Sequence, residues 1–207
     1  MSIALSRRAL VAGTAGLFAA GCSDIIGPPP APKLYVLEPA LPRDLPGGKV
    51  GWALSIQNPE AIAGLDTDRI AILFPPSNLD YYAGAAWADR LPSLVDSVLL
   101  EAFEASGRIA AVARQADVVR SNYVLSTDVR DFEARLDQPQ GAPLAVVRLG
   151  ARVVNARSHE IVGYRSFARE ERATVNSVDA AVAALASAFA GVLGDLVPWV
   201  LDRPTPE

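Results

Sequence analysis

Two periods of apolar residues run along the chain, and together they predict its elements. Val50, Trp52, Leu54 and Ile56 alternate with smaller or polar residues, the period of a half-buried strand, until Asn58-Pro59 ends it. Residues 33–37 form a shorter strand candidate stopped by Pro39 and Pro42, and 69–74 another halted by Pro75-Pro76. A short strand is expected at 109–113. A longer one spans 122–136, with Tyr123, Leu125, Thr127 and Val129 on one face. Asp131 and Glu133 continue that parity, so a bulge or strand end is expected near Phe132. Residues 144–154 and 161–172 read as the arms of a hairpin around 155–160. In the first arm Ala145, Val147, Leu149, Ala151 and Val153 face the core, while Arg148 and Arg152 face out.

The second period is helical. Leu91, Val95, Val98 or Leu99, Ala102 and Phe103 trace one face at 3–4 spacing. Pro92 is tolerated in the first turn, and Gly107 suits the C-cap. Asp96, Glu101 and Glu104 are expected to point to water. Ser177 caps a final helix that runs to about Leu201. Its buried stripe is Val178, Val182, Leu185, Phe189, Val192 or Leu193, Leu196 and Val200. Pro198 is expected to kink or fray its last turn. Strands, helix, strands, helix predict a single α+β domain: a mixed, mostly antiparallel sheet with two long helices packed on one face. No internal repeat or second core is visible.

The N-terminus follows neither period. Met1 to Arg8 carries Arg7 and Arg8, and Ala9 to Gly21 is a thirteen-residue uncharged run. A charged n-region before an apolar stretch too short to span a bilayer reads as an export signal. Phe18-Ala19-Ala20-Gly21-Cys22 then resembles the lipobox of bacterial lipoproteins, and Cys22 is the one cysteine of the chain. The resemblance implies cleavage before Cys22, a diacylglycerol on its sulfur and an N-acyl group on its new amino terminus. Ser23, rather than an Asp, directly after it permits sorting to the outer membrane. Ser6-Arg7-Arg8-Ala9-Leu10-Val11 fits a twin-arginine motif as well as a plain basic n-region, so the export route stays open. Residues 1–21 are thus the signal and 22–33 a lipidated tether, which Pro28-Pro29-Pro30-Ala31-Pro32 biases towards extended polyproline II. The folded domain is 34–201, and 202–207 a flexible tail.

Composition narrows the function. The chain has 19 Lys+Arg against 23 Asp+Glu, and loss of Arg7 and Arg8 with the signal makes it more acidic. Nucleic acid is a poor partner for such a surface. The single histidine, His159, falls in the expected hairpin turn, so no Cys–His pair or His/Cys metal cluster is expected. There is no Gly-x-Ser-x-Gly elbow. Pro46-Gly47-Gly48-Lys49-Val50 fails as a phosphate loop, because Arg43 stands at its first glycine and Val50 at its hydroxyl position. No catalytic residue, cofactor or metal ligand is expected beyond the covalent lipid on Cys22. Tyr81, Tyr82 and Trp87 keep two readings: aromatic anchors for a partner protein, or packing of helix against sheet.

Lys33-Leu34-Tyr35-Val36-Leu37, then Asp68-Arg69-Ile70-Ala71, then Leu79-Asp80-Tyr81-Tyr82 through Trp87-Ala88-Asp89-Arg90-Leu91-Pro92, resemble the ABC-type transport auxiliary lipoproteins of the PqiC/YmbA-like group. The likeness covers Leu34 to about Leu201. It implies a non-enzymatic outer-membrane lipoprotein on the periplasmic face, working with an MCE-domain protein and an ABC transporter in traffic of lipid or another hydrophobic solute. It also implies a homo-oligomeric ring, since some relatives form one. The alternative is a free-standing envelope assembly or stress lipoprotein that binds other proteins or peptidoglycan. A hydrolase using a serine and acids without histidine is the third reading.

Overall fold

The computed structural model describes residues 30–117, 120–138 and 140–204. The signal and Cys22 lie outside them. Nine strands and two helices follow in the order β1 (Lys33–Tyr35), β2 (Leu54–Ile56), β3 (Glu60–Ala61), β4 (Arg69–Phe74), β5 (Asn78–Trp87), α1 (Leu91–Ala105), β6 (Val112–Arg114), β7 (Tyr123–Arg135), β8 (Leu144–Asn155), β9 (Ile161–Arg172) and α2 (Val178–Leu201). From Pro32 onward they form one unit.

The long strand β7 organises the sheet. β8 runs antiparallel along one edge of it, and β9 runs antiparallel along β8. Along the other edge three short strands follow one another parallel to β7. β2 lies beside Tyr123 to Leu125, β3 beside Asp128 and Val129, and β4 beside Ala134 and Arg135. β5 folds back antiparallel on β4, β1 adds parallel to β5, and β6 adds parallel to β2. Five of the eight pairings are parallel, so the expectation of a mostly antiparallel sheet is corrected to a mixed one. The physical reason is the interrupted N-terminal edge. Pro59 and the turn residues after Ala61 break it into β2, β3 and β4, each of which lies parallel to β7, and only β4 also forms a hairpin, with β5, while β7 to β9 are long enough to pair antiparallel throughout. β9 closes that side of the sheet as an edge strand, exposed at nearly every residue except Phe167.

Nor does the structure confirm two helices sharing one face. Each has its own ground: α2 lies over β8 and β9, and α1 beside β2 and β6, with one contact zone between the helices. The β7 bulge falls between Val129 and Asp131, slightly before its expected place. It resets the strand's parity, so Phe132 and Ala134 join Tyr123, Leu125 and Val129 in the core. There Phe132 meets Trp87 and Phe189 edge-on, with ring centroids 6.2 and 5.6 Å away.

Ser177 caps α2 as expected, its Oγ accepting the Ala180 N–H at 3.2 Å. The helix does not fray at Pro198. It continues to Leu201, because Val197, Val200 and Leu201 are buried and hold the last turn in place. By length and composition α2 could cross a bilayer, yet more than half of its most apolar window is buried inside the fold. It is the core helix here. β5 was hidden in the sequence because Gly84, at φ +66°, breaks its alternation. The strand expected from Val50 shrinks to β2, and Val50 keeps one bridge to Ile109.

Candidate functional site

The three aromatic residues singled out above sit on β5 but do not form one surface. Trp87 is 2% exposed and packs on Phe132, which fits the packing reading. Tyr81 and Tyr82 are neighbours on a strand and point to opposite faces. The Tyr81 hydroxyl donates to the Gly64 carbonyl at 3.0 Å, and the Arg69 guanidinium lies 3.8 Å from its ring centroid. Tyr82 is partly buried, and its hydroxyl has no hydrogen-bond partner among the described residues. Burial pushes that hydroxyl's pKa up to about 12. An unpaired buried hydroxyl costs stability, so Tyr82→Phe is expected to stabilise the domain by about 1 kcal/mol. A urea midpoint that stayed level or fell would mean that the hydroxyl is satisfied by water.

A polar constellation spans β7, β8 and β9. Asp128 accepts from Arg130 at 2.5 Å and faces Arg152 at 3.5 Å, while Arg130 donates to the Tyr164 hydroxyl at 2.9 Å. Asp131 pairs with Arg148, and with Arg135 at 3.3 Å. Gly150 makes room for the first of these groups, since a Cβ there would stand 2.6 Å from both Asp128 carboxylate oxygens. Acids and bases alternate and engage one another, which describes an ion-pair lattice across strands rather than a set of converging catalytic groups.

Glu133 is the buried member of this lattice, 4% exposed. Its carboxylate accepts from Arg135 at 2.8 and 3.0 Å and from the Phe132 N–H at 2.8 Å. Desolvation outweighs these bonds and raises its pKa. A carboxyl raised on folding supports the folded state most below its unfolded pKa of about 4.3 and loses that support as pH climbs through the folded value. Glu133→Gln keeps an acceptor and cannot ionise. Its stability relative to the wild type is therefore expected to improve from about pH 4 to about pH 7. Urea midpoints of both proteins at the two pH values check this, and a relative loss on raising pH would refute it.

Two recesses flank α1. One, of about 490 Å³, lies between the strap from Val36 to Leu41 and the helix residues Leu94, Ser97, Val98 and Glu101. The other, of about 480 Å³, is walled by Ile56, Asn58, Asp96, Arg114, Gln115 and Ala116. Asp96 corrects an expectation: it does not point to water but is 6% exposed, with Arg114 Nε 2.5 Å from its Oδ2. The helical period cannot reveal this, because the partner arrives from β6. Ser97, on the wall of the first recess, accepts from Arg114 Nη2 at 3.1 Å and makes no bond to a general base among those described. His159 is exposed in its turn, at φ +61°. Among the described residues no group of three or more His, Cys, Asp or Glu side chains is placed to hold a metal.

Comparison with known proteins places this geometry. Residues 35–197 match the family described as ABC-type transport auxiliary lipoprotein component. An uncharacterized protein of Bradyrhizobium diazoefficiens is 31% identical over 149 residues, which are 72% of this chain and 39% of that protein. The chain thus spans well under half the length of that relative. The crystal structure of a Xanthomonas campestris protein, 31% identical, superposes with a TM-score of 0.76 over 82% of this chain and 94% of that one. A second crystal structure, of an uncharacterized protein 16% identical, shares the fold with a TM-score of 0.63 over 83% of this chain and 99% of that one. The chain belongs to the ABC-type transport auxiliary lipoprotein family.

Proposed function

We propose that the protein is a non-enzymatic outer-membrane lipoprotein that docks an MCE/ABC-type assembly for intermembrane transport of lipid or another hydrophobic solute. The family match over residues 35–197 carries the reading, because it spans almost the whole described domain. Two features agree with it. The lipobox ending in Cys22 supplies the anchor, with diacylglycerol on the thiol and an N-acyl group, and Ser23 suits transfer to the outer membrane. The charged side chains of β7 and β8 pair with one another within and across the strands.

In this reading the ATPase, the permease and the MCE-domain protein are other chains, and this one holds the periplasmic face of the outer membrane. A homo-oligomeric ring of it would encircle the MCE protein's end. The test is purification of the tagged mature protein from its own envelope, followed by mass spectrometry of associated proteins and lipids and by native mass measurement. Co-purification with the MCE protein encoded beside it is expected. Recovery as a lone chain, with no MCE protein and no lipid beyond its own anchor, would overturn the docking role.

A further inference from the structure

We propose that the domain rests on the bilayer through the end that carries β1, with Leu34 and Val36 in the lipid surface, so that α2 leads away from the membrane. The proposal rests on the reading of Cys22 as lipidated. Leu34 and Val36 are 63% and 55% exposed, although both are aliphatic and lie in or next to the first strand of the domain. They are two residues apart and share a side, while Tyr35 and Leu37 between and after them turn inward. Lys33 Nζ and the Tyr35 hydroxyl both donate to Asp179 Oδ1, at 2.6 and 2.9 Å. They thereby fix β1 against the first turn of α2. Val175, just before the cap of that helix, is 57% exposed at the same end.

Chain length decides the occupant. Leu34 is twelve residues beyond Cys22, so even a fully extended chain holds it within about 40 Å of the lipid. A tether this short gives the domain an effective concentration of order millimolar at its own membrane. Fully burying one aliphatic side chain contributes about 1.5–3 kcal/mol, so two or three of them match the roughly 4 kcal/mol that corresponds to millimolar binding. Lys33 is already tied to Asp179 and the acidic Glu38 stands two residues after Val36, so the contact is apolar rather than an attraction to anionic headgroups. The opposite end supplies an internal control. α2 is 24 residues long, about 36 Å, and at its far end Trp199 packs on Phe167. Gly163 lies there too, 3.2 Å from Trp199 as measured from a Cβ built on it. Ile161, at the start of β9 beside it, is 60% exposed, as open as Leu34 yet remote from the tether.

The experiment uses the full-length lipoprotein purified from membranes and reconstituted in vesicles of phosphatidylethanolamine and phosphatidylglycerol. Leu34→Cys, Val36→Cys and Ile161→Cys variants are labelled with an environment-sensitive maleimide dye. The wild type is treated in parallel. If Cys22 is lipidated the wild type takes no dye; if it does take dye, the anchor reading itself fails, and the label data are not needed to see it. With an unlabelled wild type, the dye at 34 and 36 is expected to brighten severalfold and to be quenched by spin-labelled lipid. The dye at 161 should behave as it does in water, and added salt should change neither result. Dye at 34 and 36 reporting water would overturn the proposal. So would dye shielded but unquenched by the lipid probe, which would mean that protein, a second copy or a partner, covers this end.

Discussion

Phe132→Ala is expected to destabilise the domain by about 3–5 kcal/mol, the range for removing a large aromatic side chain from a closed core. Phe132 is 1% exposed, and its ring touches Trp87 at the end of β5 and Phe189 near the middle of α2. The loss therefore unlinks three elements that are far apart in sequence. Domains of this size are stable by about 5–15 kcal/mol, so the variant would keep roughly four fifths of that at best and none at worst. Denaturant unfolding followed by tryptophan fluorescence measures it directly, because Trp87 is in the contact. A conservative Phe132→Leu change should cost less than half as much, since it keeps much of the volume. A cost below about 1 kcal/mol for Phe132→Ala would mean that the cluster does not hold these three elements together.

Cys22→Ser is expected to abolish lipid attachment outright. The hydroxyl cannot replace the thiol in a thioether, and each methylene of a lost acyl chain removes about 0.8 kcal/mol of membrane binding. Intact mass of the N-terminal peptide is the readout. The wild type should carry the added diacylglycerol and N-acyl mass, and the variant neither. A wild type with a bare thiol, or with an N-terminus beyond Cys22, would remove both the placement and the transport role built on it. The folded domain should be unaffected, so its unfolding midpoint serves as the control.

Long elements were legible in the sequence because their periodicity survives the whole length. The hairpin of β8 and β9, the strand β7 and the helix α2 with its Ser177 cap all follow from residue order. What failed to show was short or non-local. β5 escaped because Gly84 interrupts it, and the parallel order of β2, β3 and β4 escaped because each piece holds too few residues to display a partner preference. The helical period turns Asp96 to water because it cannot register Arg114, which comes from the strand β6. The same limit applied to the aromatic residues of β5. Their spacing marks them as distinctive, but only the fold shows Trp87 enclosed and Tyr81 and Tyr82 on opposite faces. The proposed anchor at Cys22 is a different kind of reading: an export junction is read by enzymes as linear sequence, so it needs no tertiary partner, and it lies outside the described residues.

The edge strand β9 bears on how such a protein survives crowding. Anchoring confines many copies to two dimensions, where neighbours collide at high density and an open strand edge invites fibril-like stacking. From its fifth residue on, β9 carries Arg165, Arg169, Glu170, Glu171 and Arg172. Two copies sliding edge to edge would have to desolvate these charges. Lateral aggregation is thereby discouraged along the longest border of the sheet among the described residues.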